Sequence, residues 1–305
     1  MKLFFHDYSK TDIDPKMDIK KLQALITLLD DPDAGIYLKV ESELLKGRVE
    51  IVPDLEKAWE TSDDGIFQKR VENIIHSLQF RNLKKELTDW KRGGADDLLY
   101  ASYLIAKYNY PDLRFSEVKD KIEKIKRDIW LELNGNMTFL ENISVVNYIL
   151  FDKFNFSRNT IDPLSPRNNF INDVLSSRKG NPVTLSVVYS LICQSLGMPV
   201  YGVNLPKNFI LVYLDGEMSK DTCDPPDCPA LFYINPVNKG AIIGKREIEI
   251  FLKQQKITFL DDYFTPCSNR DIVRRMFDNL RFSYDSIGQN EKKIEIIELE
   301  KVLDD

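Results

Sequence analysis

Residues 178–199 read RKGNPVTLSVVYSLICQSLGMP, and this stretch decides the fold. It contains Asn181, a good helix N-cap, followed by Pro182, which suits the first helical position because an N–H there would have no partner in the helix. The residues that follow are largely apolar until Gly197 and Pro199 end the pattern. The sequence therefore predicts a buried helix over Val183–Leu196.

The hydrophobic period changes directly after this helix. Short β-branched or aromatic runs, bounded by Pro, Gly and Asn, follow at Val200–Asn204, Phe209–Leu214 and Leu231–Ile234. Runs of this kind are typical of short strands. We expect them to form one small antiparallel sheet against the central helix, which gives an α+β core.

The first third of the chain has the periodicity of amphipathic helices. An acidic helix start at Asp33 recurs 31 residues later at Asp64, and the apolar and charged positions after the two starts agree. Such a recurrence is typical of stacked helical hairpins of the HEAT-like kind. The alternative is that two amphipathic helices simply resemble each other. On the repeat interpretation, residues 1–94 form an all-α helical-hairpin region.

Two further helices are predicted at the end of the chain, over Asn269–Ser286 and Glu291–Leu303. Gly288 lies between them and is a plausible helix-ending glycine. We therefore divide the chain into the helical region, a core over residues 95–265 and a C-terminal helical hairpin over residues 266–305.

The composition excludes two classes of partner. The 305 residues carry a formal net charge of −6, with Lys and Arg scattered among acids, which argues against a nucleic-acid-binding surface. No run approaches the roughly 18 apolar residues of a membrane span. The N-terminus soon becomes charged and has no small-residue cleavage site, so we expect a cytoplasmic protein.

Four cysteines are too few for a disulfide scaffold in a chain of this length. Cys223 and Cys228 flank a turn-rich Asp-Pro-Pro-Asp segment, but a zinc site would need a second pair of ligands. We expect neither a metal nor a cofactor. Cys193 lies about three turns inside the central helix, beyond the reach of the helix dipole, and we expect a buried, inert thiol there.

Several segments in register carry a resemblance to a known family. They are 168–175 (NNFINDVL), 178–186 (RKGNPVTLS), 196–200 (LGMPV), 202–209 (GVNLPKNF) and 233–240 (YINPVNKG). In order and spacing they resemble the SirB-type branch of the transglutaminase-like superfamily. The similarity extends to residues 268–288, which resemble the short tetratricopeptide-like tail common in that family.

This resemblance implies a papain-like α+β core. Active members of the superfamily carry a cysteine at the start of the central helix, and a His and an Asp from two following strands. Here the nucleophile position is Pro182, the His position of the Leu-Pro-x-His-Phe pattern is Asn208, and the Asp position of the Ile-Asp-Pro pattern is Asn235. The two histidines of the chain, His6 and His76, both lie in its first quarter. We therefore assign no catalytic residue.

The leading hypothesis is a non-catalytic regulatory or interaction protein that binds a protein partner of unknown identity. The helical arms favour it, because such arms present grooves for helices or extended peptides. Helix capping is sufficient to explain why Asn181 and Pro182 stand at the start of the central helix. A second hypothesis is that Asn181, Asn208 and Asn235 line a degenerate polar groove that binds a small neutral molecule.

A third hypothesis is a hydrolase or amidase with an unconventional set of residues. Such an enzyme would activate water through a pair of carboxylates that converge on the pocket. Near the degenerate positions the sequence offers Asp215, Glu217 and Asp227, all in a predicted surface loop.

Overall fold

The computed structural model describes residues 18–215 and 229–304. The chain divides into two compact units, Met1–Leu83 and Lys84–Asp305. The C-terminal residues therefore belong to the same unit as the core. The finer division after residues 94 and 265 stays a prediction. Among the described residues, no helix is both long enough and apolar enough to cross a membrane.

The first unit is all helical over its described residues. Its helices are α1 (Ile19–Leu28), α2 (Ala34–Leu45), α3 (Val52–Glu60) and the first part of α4 (Gly65–Arg92). Asp18 and Asp33 cap α1 and α2 through their carboxylates, as their sequence positions predict. The guanidinium of Arg70 donates to the Leu29 and Asp31 carbonyls at 2.7 and 2.9 Å, which ties α4 to the end of α1.

The core of this unit forms where the apolar stripes of the four helices meet. Its most buried members are Leu29, Leu44, Leu55, Val71 and Ile74, each fully shielded from solvent. The helices thus pack as their amphipathic patterns predict. Their assignment to HEAT-like repeats stays a prediction.

The second unit opens with helices and then turns to the sheet. Its helices before the sheet are α5 (Leu98–Asn109), α6 (Phe115–Trp130), α7 (Phe139–Asn147), α8 (Ile171–Ser177) and α9 (Pro182–Ser195). A π-helical turn over Tyr148–Lys153 extends α7. The long connection after it contains a short strand, β1 (Ser157–Arg158), which pairs in parallel with β2 (Lys179–Gly180). The sequence pattern did not predict this pair.

The main sheet has the order β3-β4-β5-β6 and is antiparallel throughout. Its strands are β3 (Val200–Val203), β4 (Ile210–Leu214), β5 (Ala230–Asn235) and β6 (Ala241–Ile243). The first three match the predicted runs, whereas β6 was not predicted. The α+β class of the sequence analysis is confirmed.

Helix α9 is buried on nearly all sides, as its continuous apolar sequence predicts. Every residue of β4 is also buried, which makes β4 the centre of the sheet. One side of α9 packs against β3 and β4, and the other against α5, α6 and α8. A helix that is apolar all round is stable only in such a position.

The sheet is followed by α10 (Lys245–Gln254), α11 (Asn269–Ser286) and α12 (Asn290–Glu300). Ser268 and Asp271 form a capping box at the start of α11, and Gly288 has a φ of 72° between α11 and α12. Helix α11 packs against α12, α5 and α9. The predicted C-terminal hairpin is therefore present, while its tetratricopeptide-like character stays a prediction.

Candidate functional site

The N-terminus of α9 is closed by hydrogen bonds within the chain. The Asn181 Oδ1 accepts from the Thr184 backbone N–H at 3.0 Å, and the Thr184 Oγ1 accepts from the Asn181 backbone N–H at 3.1 Å. Pro182 occupies the first helical position. This reciprocal cap is the structure that the sequence predicted for Asn181 and Pro182.

A network of carboxamides supports this cap from the preceding loop. The Asn181 Nδ2 donates to the Asn169 Oδ1 at 2.7 Å, and the Asn169 Nδ2 donates to the Ser283 Oγ at 3.3 Å on α11. The Thr184 Oγ1 donates to the Asn168 carbonyl at 2.8 Å. Asn168 and Asn169 are only 3% and 1% exposed, so these bonds replace water for buried polar groups. The network links the α9 tip to the C-terminal hairpin.

Truncation of the cap gives a first prediction. Asn181→Ala should lower the free energy of unfolding by about 2 kcal/mol, because α9 loses its cap and the buried Asn169 oxygen loses its donor. Asn181→Ser is the matched variant, since its hydroxyl can still cap the helix but cannot reach Asn169. We expect it to lose about half as much in urea denaturation. Equal losses in the two variants would show that the cap itself contributes nothing.

Asn208 lies in the turn between β3 and β4 and is half-buried. Its Oδ1 accepts from the Phe209 backbone N–H at 2.9 Å. The Ser186 Oγ, one helical turn beyond Pro182, reaches the Phe209 carbonyl at 3.5 Å. Asn208 therefore lies beside the first turns of α9.

Asn235 ends β5 at the same end of the sheet. Strands β4 and β5 are antiparallel with Leu211 opposite Ile234, so the start of β4 lies beside the end of β5. The 3-10 turn Pro236–Asn238 that follows packs against α9 and β1. The Asn235 Oδ1 is buried and has no hydrogen-bond partner among the described residues. The three degenerate positions, Pro182, Asn208 and Asn235, thus occupy one end of the helix–sheet layer.

The described thiols are poor nucleophiles. Cys193 is fully buried, and this burial raises the pKa of its thiol far above the usual range. Burial, with a smaller contribution from Asp271, raises the pKa of the Cys267 thiol to about 12. Both groups are therefore protonated at neutral pH. Cys223 and Cys228 lie outside the described residues.

The other residues considered as chemical groups in the sequence analysis belong to the first unit, to the end of β4 or to residues outside the described ranges. His76 lies in α4, in the first unit, and stacks on Phe80. Asp215 directly follows β4, whereas His6, Glu217 and Asp227 lie outside the described residues. Within residues 18–215 and 229–304, no three His, Cys, Asp or Glu side chains are grouped as a metal site.

Sequence reasoning missed the roles of Asn168, Asn169 and Ser283 in the site. Asn168 and Asn169 belong to the segments that carried the resemblance, but nothing in the local pattern shows that their side chains are buried. Residues 155–169 contain four asparagines, but asparagine is common in turns and loops, so their number gave no signal of burial. Their partners lie up to 114 residues away in the sequence.

Comparison with known proteins supports the architecture. Residues 116–278 match the transglutaminase-like superfamily. The F-box only protein 21 of Mus musculus is 28% identical over 219 residues, which cover 63% of this chain and 33% of that protein. A UPF0162 protein of Xylella fastidiosa is 30% identical over 114 residues, or 37% of this chain and 41% of that protein. No solved structure matches the chain.

The chain spans well under two thirds of the length of these curated relatives. The superfamily match, by contrast, covers more than half of this chain and includes α6 to α9, the sheet and the first part of α11. It also includes each of the positions Pro182, Asn208 and Asn235. The chain therefore belongs to the transglutaminase-like superfamily.

Proposed function

We propose that this protein is a SirB-type, non-catalytic member of the superfamily that acts in the cytoplasm as an interaction or regulatory scaffold. The observation that carries the proposal is the α9 tip, where Pro182, Asn208 and Asn235 stand at the positions that the resemblance assigns to the cysteine, histidine and aspartate. A carboxamide does not relay protons at neutral pH, and a proline ring offers no nucleophile. The tip is instead closed by the cap of Asn181.

The flanking helices support a binding role. Amphipathic helices packed on one another, as in the first unit, are a common basis of surfaces that hold peptides or helices. The similarity to an F-box only protein carries little weight for partners, because the match covers only 33% of that protein. The partner is therefore proposed only as another protein, with neither nucleic acid nor membrane as the target.

Site-resolved alkylation tests the proposal. We expect Cys193 and Cys267 to resist iodoacetamide in the folded protein at pH 8 and to react once it is unfolded, because burial raises the pKa of both thiols. Peptide mapping by mass spectrometry measures the alkylation of each cysteine separately. One thiol that reacts faster than free cysteine at neutral pH would overturn the proposal.

A turnover assay tests the enzymatic alternative directly. We expect no saturable hydrolysis of generic ester and amide substrates above the uncatalysed rate. A water-activating carboxylate pair would instead give turnover with a bell-shaped pH profile. Turnover that Asp215→Asn abolishes would establish the hydrolase alternative and assign its base.

The degenerate groove has one observation in its favour. The buried Asn235 Oδ1 lacks a hydrogen-bond partner among the described residues, and buried carbonyl oxygens of native proteins are usually satisfied. A small neutral donor, such as an amide or hydroxyl group, fits this acceptor. Binding of such a molecule is compatible with the scaffold proposal and requires no catalysis.

A further inference from the structure

Arg178 is a partly buried cation that lies three residues before the cap of α9. It ends α8 with a φ of 62° and a ψ of 16°, a left-handed conformation that usually belongs to glycine or asparagine. Its backbone N–H donates to the Val174 carbonyl at 2.9 Å, and its carbonyl accepts from the Ser157 N–H at 3.0 Å. Both the N–H and the carbonyl of the residue are therefore held in a sparsely populated backbone conformation.

The guanidinium of Arg178 lies against two aromatic rings. Its central carbon lies 5.1 Å from the ring centre of Phe154 and 4.9 Å from that of Phe156. Its Nη1 is buried without a hydrogen-bond partner among the described residues. Burial lowers the pKa of this guanidinium, with no carboxylate to oppose the effect. Within the described residues, the structure thus holds a partly buried cation without an acidic partner, which is costly for stability alone.

Two acids, one close to Arg178 in the sequence and one close to its aromatic contact Phe154, have other partners. Asp173, on α8, forms an ion pair with Arg167 at 3.2 Å and accepts from the Tyr110 hydroxyl at 2.7 Å. Asp152, two residues before Phe154, forms an ion pair with Lys239 at 3.1 Å. Neither carboxylate compensates the charge of Arg178.

Two more cations flank Arg178 on the short parallel pair of strands. Lys179 lies opposite Ser157, and its Nζ donates to the Ser157 Oγ at 2.5 Å. Arg158 lies opposite Gly180 and is exposed. Among the described residues, neither cation forms an ion pair. We call Arg158, Arg178 and Lys179 the strand-pair cations. They are neighbours along the strand pair of a chain whose net charge is −6.

We propose that the strand-pair cations bind a carboxylate of an acidic segment in a partner protein, with Arg178 as the main contact. This inference rests on the proposed scaffold function and names the chemistry of its partner. Arg178 is half-exposed, and its guanidinium packs against two rings. A guanidinium can bind a carboxylate in a two-pronged arrangement, which lysine cannot reproduce. The neighbouring Lys179 and Arg158 attract further acidic side chains.

The test uses the full chain and two short fluorescein-labelled peptides, one of alternating glutamate and glycine and one with glutamine in place of glutamate. We expect the folded protein to bind the glutamate peptide and not the glutamine peptide in fluorescence anisotropy. Arg178→Met should weaken binding by about tenfold or more, and Arg178→Lys by a smaller factor. Arg127→Met, at an exposed arginine of α6, is the matched control and should leave binding unchanged.

Thermal unfolding separates binding from a structural role. Methionine can pack against the same two rings, so we expect Arg178→Met to have an unfolding midpoint no lower than that of the unmodified protein. A lower midpoint with unchanged peptide affinity would show that Arg178 only stabilises the fold. Equal affinity for both peptides, or no binding of the glutamate peptide, would also overturn the inference. The same samples are assayed for ester hydrolysis, because turnover would refute the scaffold function whereas lost peptide binding alone refutes only this inference.

Discussion

Replacement of Gly240 by alanine should lower the free energy of unfolding by about 2–5 kcal/mol, the largest loss that we expect from a single methyl group in this chain. Gly240 has a φ of +71° and follows the turn between β5 and β6. A Cβ at this position would lie 1.8 Å from the Asn147 Oδ1 and 2.4 Å from its Cγ. The Asn147 side chain must therefore move.

Asn147 cannot move without cost, because it joins three elements. Its Oδ1 accepts from the Tyr189 hydroxyl at 2.8 Å, and its Nδ2 donates to the Gly240 carbonyl at 2.9 Å. Tyr189 is fully buried in α9, so loss of this partner leaves its hydroxyl unsatisfied. Backbone strain contributes about 1–2 kcal/mol and the orphaned hydroxyl about 1–3 kcal/mol.

Gly288→Ala is the matched control for this prediction. Gly288 has nearly the same φ of +72°, but no atom lies within 4 Å of the place of its Cβ. It should lose only the strain contribution, about 1–2 kcal/mol. Urea denaturation followed by tryptophan fluorescence measures both variants. If Gly240→Ala and Gly288→Ala lose the same free energy of unfolding, then the Asn147 side chain moves aside without cost and its bond to Tyr189 contributes little to stability.

Restoration of the three residues at the α9 tip should create a reactive thiol in a protein that has none among its described residues. In the triple variant Pro182→Cys, Asn208→His and Asn235→Asp, we expect the new thiol to react with iodoacetamide about a hundredfold faster than buried Cys193 does in the same molecule. The free N–H groups and dipole of the helix, together with an imidazolium, lower the pKa of such a thiol.

The pH dependence of the alkylation rate distinguishes a thiol with a lowered pKa from an ordinary thiol. A thiol with a lowered pKa stays a thiolate as the pH falls below 7, and its alkylation persists there, whereas an ordinary thiol becomes unreactive. Pro182→Cys alone is the control, because it has the helix N-terminus but no imidazole. If the triple variant reacts no faster than this control at any pH, then Asn208 and Asn235 do not face position 182 as the resemblance implies.

The elements that the sequence predicted well are those with a long, regular pattern. Helix α9 and helix α11 lie within a residue or two of the predicted bounds, because caps and apolar periodicity act locally. The missed strands are the short ones, β1, β2 and β6. A strand of two or three residues has no detectable period, and it exists only because a partner from another part of the chain lies beside it.

The residues of the candidate site show the same difference between local and distant contacts. The cap formed by Asn181 and Pro182 was predictable, because it depends on residues within one turn. The roles of Asn168 and Asn169 were not, since their partners come from α9 and α11. The exposed position of Ile161, at 96%, likewise follows from the path of the loop and not from its sequence.

By itself, the sequence determined the α+β class, the central helix and the presence of Pro182, Asn208 and Asn235 where the resemblance places a Cys-His-Asp set. These features depend on residue identity and on patterns a few residues long. Only the tertiary structure decided which polar groups have partners: it joined Asn169 to Ser283 and Asp173 to Tyr110, and among the described residues it left the Arg178 Nη1 without a hydrogen-bond partner. Burial and ion pairing depend on which distant segments meet, and a hydrophobic period carries no information about that choice.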